Sequence, residues 1–232
     1  MRKVVKKKTL KHRILAIDVG GSHVKTRLSG HREMRQFESG PKLTPRQMVK
    51  RVHELNGDSR FDVVSIGYPG TVVHGKIVAE PYNLGRGWVG FDFRKAFGRP
   101  TYIMNDAAMQ ALGSYEGGRM LFLGLGTGLG STMIVDDVIA PMELAHLPYK
   151  RGRTYEDYLG DRGRHRLGAK KWRRMVLEIV DQLRTALEAD YVVLGGGNAA
   201  KLKKLPKATR VGDNGFAFLG GFRVWRSPAL RA

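Results

Sequence analysis

Ile14-Leu15-Ala16-Ile17-Asp18-Val19-Gly20-Gly21-Ser22-His23-Val24-Lys25 is an apolar run, a tight glycine turn carrying a hydroxyl residue, and the start of a second apolar run. The pattern returns at Leu121-Phe122-Leu123-Gly124-Leu125-Gly126-Thr127-Gly128-Leu129-Gly130-Ser131-Thr132-Met133-Ile134-Val135. Between the two copies lies Asn105-Asp106. Glycine lets backbone N–H groups turn inward and approach an anion with no Cβ in the way. Two such turns facing each other would hold a phosphate chain between them, and Asp106, a lone acid beside that chain, would be placed to act as a base.

Working outward, residues 13–19 and 23–28 read as a hairpin and 32–37 as a third antiparallel strand. Thr44-Pro45 opens a helix with a hydroxyl N-cap and Pro at its first position. It runs to about Leu55 and stops at Asn56-Gly57. Phe61 to Ile66 is a buried strand, and residues 71–91 are a Gly-rich hairpin and loop. Thr101 to Met104 is a short strand and Ala107 to Tyr115 a helix. Residues 140–167 read as irregular and basic. A long helix follows over about 168–188, with Trp172, Met175, Val176, Ile179, Val180, Leu183 and Leu187 on one face at spacings of three and four. Tyr191 to Leu194 is a strand ending in Gly195-Gly196-Gly197. After a short helix and a strand near Arg210-Val211, Asp213-Asn214 caps a last helix to about Val224. This order predicts an α/β protein of two related lobes with a central cleft. The lobes are expected at 1–106 and 107–232, the last helix packing back on the first. The first 12 residues read as a solvated tail or the start of a first strand.

Composition narrows the chemistry. At 232 residues the chain can bury a sizeable core. It has no cysteine, which excludes disulfides and thiolate metal sites, so no zinc is expected. No apolar run approaches the roughly 18–20 residues that span a bilayer, and no signal-peptide pattern follows the basic start. The expectation is a cytoplasmic protein with no membrane partner. The net charge is +20, from 41 basic and 21 acidic residues. It is clustered, with seven Lys/Arg and no acid in residues 1–13, ten against three acids in 150–174, and five and none in 201–210. Such clusters attract polyanions, or else serve only solubility.

Five motifs together resemble the ROK family of sugar kinases, which has the two-lobed hexokinase/actin-like (ribonuclease H-like) fold. Asp18 to Lys25 is similar to its first phosphate motif and Asn105-Asp106-Ala107-Ala108 to its catalytic Asn-Asp. Gly126 to Ser131 is similar to its second phosphate motif. Glu143-Leu144-Ala145-His146 resembles its sugar-binding Glu-x-Gly-His, and Leu194 to Asn198 its adenosine-side motif. The order is right and nearly the whole chain is covered. Within the family the chain looks most like the polyphosphate glucokinases, being short, free of the Cys-rich zinc motif and basic over 150–174. It departs at Ala145, where glycine is usual, and at Pro148 to Arg153, where an acidic stretch is usual.

The resemblance implies phosphoryl transfer to the 6-hydroxyl of glucose or a related hexose, from polyphosphate or from ATP, with Mg²⁺. Asp106 is the implied general base, and a helix N-cap is the plainer reading of the same residue. Asp18 orients Mg²⁺ directly or through water. Gly20, Gly21, Ser22, Gly126, Thr127 and Gly128 hold phosphate, with Gly195, Gly196 and Gly197 on the nucleotide side. Lys25 faces either phosphate or solvent. Pro69, Gly70, Asn83, Asn105, Glu143, His146 and Glu156 are implied sugar contacts. Glu156 reads equally as an ion-pair partner of Arg153, and Tyr82 and Trp88 as a platform or as plain core. Arg162, Arg164 and Arg166 are candidates for a polyphosphate track. Family members pair as homodimers. The competing classes are an ATP-dependent hexokinase, a ROK repressor and a non-enzymatic nucleic-acid binder. The roughly 13 residues before the first strand are too few for a repressor's helix-turn-helix. The intact Asn-Asp and phosphate turns weigh against the binder, so nucleic acid is not the expected partner.

Overall fold

The computed structural model describes residues 12–213 and 215–226. The expected tail at 1–12 falls almost wholly outside them, as does Asn214 of the expected last cap. Two five-stranded sheets form, and each repeats one topology. In the first, β1 (Ile14–Val19), β2 (His23–Leu28) and β3 (Met34–Glu38) make an antiparallel meander. β4 (Val63–Tyr68) then joins β1 in parallel, and β7 (Thr101–Asn105) joins β4. In the second, β8 (Arg119–Leu125), β9 (Leu129–Val135) and β10 (Val138–Met142) form the meander, and β11 (Tyr191–Gly195) and β12 (Thr209–Val211) extend it in parallel. A small hairpin of β5 (Val72–Val73) and β6 (Lys76–Ile77) follows β4.

Period-two burial sets what each strand faces. In β1, Leu15, Ile17 and Val19 join a core with Met48, Val49 and Val52 of α1 (Pro45–Asn56), while Ile14 and Ala16 face Phe218 and Phe222 of α6 (Phe216–Arg223). Asp18 continues the second set. In β8, Leu121, Leu123 and Leu125 pack on α5 (Asp161–Ala186), while Met120 and Phe122 pack on α3 (Asp106–Ser114). α1 carries the expected Thr44 cap, which Gln47 completes as a capping box, and ends at Gly57 with φ 49°.

The helices that follow the last parallel strand of each half, α3 and α6, pack on each other. A Cβ on Gly113 would overlap the Phe216 carbonyl, and one on Gly220 the Met109 carbonyl. α6 also reaches β1 and β4: Gly221 lies against Ala16 and Ser65, and Trp225 Nε1 donates to Ser65 Oγ at 2.8 Å. Thus α6, at the end of the described chain, seats on the first sheet.

The segment 140–167 corrects the sequence reading. It is ordered as β10, a 3-10 turn over Leu144–His146, α4 (Tyr155–Leu159) and the start of α5. α4 opens on a second capping box, Thr154 with Asp157. Gly168, at φ 72° and ψ 158°, interrupts α5, so the expected helix from 168 is its regular part. A short α2 (Phe93–Phe97) was also unforeseen. In α6 the Asp213 carboxylate takes the Gly215 N–H at 2.6 Å, one residue ahead of the helix.

The α3–α6 approach is backbone against backbone, which no side-chain rotation relieves. Gly220→Ala is expected to lower the unfolding free energy by about 2–3 kcal/mol. Urea denaturation measures this, and an unchanged midpoint would contradict the packing.

Candidate active site

Asp18 and Asp106 form the centre of the site. Asp18 pairs in register with Lys25 across the β1–β2 hairpin and with Gly67 on the parallel side. Directly opposed residues share a sheet face, so Lys25 lies beside Asp18. Gly67 leaves room for the start of α3: a Cβ there would sit 3.5 Å from Asp106 Cα and against the Met109 side chain. Burial raises the Asp18 carboxyl above its ordinary range, with Lys25 opposing the shift. Burial pushes Asp106 up to about 7, the Asp18 charge adds to it, and the N–H groups of Ala107 and Asp106 oppose it.

Asp106 is not the N-cap. Asn105 is, its Oδ1 accepting from Ala107 N at 2.9 Å and Ala108 N at 3.2 Å. That leaves the Asp106 carboxylate in the first turn, where the helix N-terminus favours its charged form. Asn105 Nδ2 donates to the Gly70 carbonyl at 3.1 Å, tying the Pro69-Gly70 loop to the Asn-Asp pair. Against the first glycine turn lies Asn83, 3.2 Å from where a Gly21 Cβ would stand. Ser39 holds that turn from outside, its Oγ donating to the Gly20 carbonyl at 2.6 Å. Ser22 is exposed at the tip.

The second turn is fixed from behind. The Asp161 N–H donates to the carbonyls of Gly126 (3.1 Å) and Thr127 (3.2 Å). Asn198, itself buried, gives its N–H to the Leu125 carbonyl and its Nδ2 to Gly126 O and Asp161 Oδ1. Gly196 has φ 79°, and a Cβ on it would strike Leu125. The glycines at 195–197 thus dock on the second phosphate turn, with Gly197 open. Gly130 meets Ala107 Cβ, which sets the hairpin beside the N-terminus of α3.

Glu156 Oε2 accepts from Leu129 N at 3.1 Å, over Gly128, where only glycine leaves room. It therefore braces the phosphate turn, and Arg153 is not its partner among the described residues. Ser131 Oγ donates to the Met142 carbonyl at 2.7 Å and accepts from Leu144 N at 3.2 Å, fastening the Glu143–His146 turn to the same hairpin. Glu143 and His146 are exposed, 3.8 Å apart. Ala145, in place of the usual glycine, is buried. Trp88 is core, its ring 5.5 Å from that of Tyr68, whereas Tyr82 is fully exposed.

Three residues escaped the sequence reading. Asp161 and Asn198 anchor the second turn; Asn198 stands in a quoted motif, but nothing local marks Asp161. Glu80 accepts the N–H groups of Gly87, Trp88 and Val89, shaping the loop that carries Asn83. Among the described residues no cluster of three metal-ligating side chains occurs, and no helix is long and apolar enough to cross a membrane.

Comparison with known proteins agrees with this geometry. The ROK family model matches residues 14–140. A polyphosphate glucokinase of Mycobacterium tuberculosis is 28% identical over 212 residues, covering 81% of this chain and 78% of its own. The inorganic polyphosphate/ATP-glucomannokinase of Arthrobacter sp. strain KM superposes with a TM-score of 0.77 at 21% identity, over 92% of this chain and 98% of that one. A ROK family glucokinase from Streptomyces griseus, solved with glucose and AMPPNP, gives 0.69 at 15% identity, over 92% and 99%. The fold is that of the hexokinase and actin-like proteins.

The raised Asp106 carboxyl makes the site a source of instability with a defined pH dependence. At low pH the acid is protonated in folded and unfolded chains alike, at no cost. As pH rises from about 4 through about 7, the unfolded chain releases the proton first, and stability falls. Asp106→Asn is therefore expected to raise the melting temperature at pH 8 by a few degrees, with the gain vanishing toward pH 4. Thermal melts across that range measure it.

Proposed function

The chain belongs to the ROK family, and we propose that it is a sugar kinase that phosphorylates the 6-hydroxyl of glucose, with inorganic polyphosphate as preferred donor. The observation that carries this reading is the pair of buried acids, Asp18 at the end of β1 and Asp106 at the start of α3, near enough for the charge of one to raise the carboxyl of the other, and flanked by two glycine turns. The similarity to polyphosphate glucokinases supports the donor.

The N–H groups of Gly21 and Ser22 and of Thr127 and Gly128 grip the donor phosphates, with Lys25 adding positive charge, while Gly20 and Gly126 close the two turns by donating to the His23 and Gly128 carbonyls. Gly195 to Gly197 support the second turn and border a nucleotide when ATP is the donor. Asn83, Asn105, Glu143 and His146, with the Pro69-Gly70 loop, orient the sugar, and Glu156 acts through the phosphate turn. Asp106 takes the 6-hydroxyl proton as the oxygen attacks the terminal phosphorus in line. The bond to the bridging oxygen breaks, and the shortened donor leaves with its electrons. A carboxyl near 7 suits this task at neutral pH.

Asp18 and Asp106 fit Mg²⁺, which uses one or two carboxylates, water and substrate phosphates rather than a protein cage. Asp18 would hold it through water, and the ion would neutralise phosphate charge. A homodimer, which the family resemblance implies, and a cytoplasmic location, read from the absence of a signal-peptide pattern, complete the proposal.

Glucose 6-phosphate formation with Mg²⁺ tests the reading. Turnover is expected to be faster with long-chain polyphosphate than with ATP, and Asp106→Asn should lose about 10³-fold or more. For the wild type, kcat/KM should climb with pH and level off above about 7, as Asp106 must be ionised. Faster turnover with ATP would keep the mechanism and move the donor assignment. No product with either donor would contradict the kinase. Asn198→Ala, which unties the second turn, is expected to raise donor KM by about tenfold or more while glucose KM holds, a split that steady-state kinetics reads.

A further inference from the structure

We propose that the acid-free surface formed by residues 168–177 of α5 and the segment 201–207 is a binding track for a linear polyphosphate, leading away from the second phosphate turn. The inference rests on the kinase reading and specifies where the donor's distal phosphates lie.

Two stretches of chain leave that turn side by side. One begins at Asp161, whose N–H groups the carbonyls of Gly126 and Thr127, and runs along α5. The other begins at Asn198, bonded to Gly126, and runs through Lys201 to Lys207. The Arg173 guanidinium ties them, its Nε donating to the Lys201 carbonyl at 2.9 Å. Lys201 Nζ in turn holds Asn198 Oδ1 at 2.6 Å. No acid occurs from Arg162 to Leu177, and none from Tyr191 to Gly212. Lys170, Lys171, Lys203, Lys204 and Lys207 are exposed and make no ion pair among the described residues. Positive groups aligned without intervening acids suit a long anion whose binding releases counterions.

The structure also redistributes the cations first suspected. Arg164 pairs with Asp161 at 3.4 Å. Arg166 donates to the Asp157 carbonyl at 2.6 Å and lies over the Tyr158 ring. These two serve the fold around α4, which leaves the free charge farther along. The helical stretch from Asp161 to Gly168 rises on the order of 10 Å, and Lys170 lies beyond the break at Gly168. A long chain, rather than a triphosphate seated on the turn, is the donor suited to reach past that stretch.

The test compares wild type with the Lys170→Ala, Lys203→Ala, Lys204→Ala triple variant, and uses Arg94→Ala, Lys95→Ala as a control of equal chemistry elsewhere. Affinity for long-chain polyphosphate and for inorganic tripolyphosphate is measured directly by titration, and donor KM by glucose phosphorylation. The triple variant is expected to lose about tenfold in long-chain affinity and to flatten the salt dependence by about two charges. Tripolyphosphate and ATP should shift less than about twofold, and the control variant should match wild type. Unchanged long-chain binding, or an equal loss for both lengths, would overturn the track. Single-stranded DNA competing as well as long polyphosphate would overturn it in favour of a nucleic-acid surface. Length-dependent binding lost in the triple variant, from a wild type that forms no sugar phosphate, would uphold the track while removing the kinase reading.

Discussion

The backbone contact between α3 and α6 is the constraint on which the site depends. Gly113 and Gly220 let each helix rest on a carbonyl of the other, so the pair fills the space between two sheets as one unit. α6 seats on β1 and β4 through Gly221 and Trp225, and α3 lies against β8 and β9. Asp106 is the first residue of α3, and Asp18 lies on the face of β1 that α6 covers. A shift of either helix would change the separation of the two carboxylates, since interiors this dense transmit strain.

Charge follows a gradient across that frame. At the centre, burial holds Asp18 and Asp106 above the ordinary carboxylate range, and the Asp18 charge adds to the shift at Asp106. Around them are neutral donors, the backbone N–H groups of two glycine turns and of the α3 N-terminus. Beyond the second turn, residues 162–177 and 191–212 carry basic side chains and no acid. Phosphoryl transfer depends on positioning and on stabilising charge spread over phosphate oxygens, and this order provides both. Burial disfavours charge on the two acids, while a basic exterior attracts anions. The Asp161–Asn198–Lys201 chain joins the two regions, because the groups that fix the phosphate turn also begin the basic surface.

Much of this was legible because local rules and tertiary context agreed. The β1–β2 hairpin announces itself by an apolar run ending in paired glycines, and α1 by Thr44-Pro45. The buried face of α5 follows from the spacing of Trp172 to Leu183. The segment 140–167 was misread because its elements are short and their signals weak. β10 is an edge strand carrying Pro141 with little apolar alternation, and α4 has five residues. Its capping box, Thr154 with Asp157, was the available cue, hidden among arginines. At the site, glycine motifs indicated where backbone would approach an anion, whereas the register that sets Lys25 beside Asp18 came only with the fold. Asp161 and Glu80 were invisible because their partners are brought near only by folding: the Gly126 and Thr127 carbonyls and the Asn198 amide for Asp161, and backbone N–H groups for Glu80. The N-cap reading of Asp106 failed by one residue, since Asn105 and Asp106 compete for the same cap.

The most direct measurement is a crystal structure of the protein with glucose and a non-hydrolysable triphosphate. The sugar 6-hydroxyl is expected within about 2.6–3.2 Å of an Asp106 carboxylate oxygen, with donor phosphates on the N–H groups of both glycine turns. A sugar bound with its 6-hydroxyl turned away from Asp106, or phosphates seated on neither turn, would contradict the account.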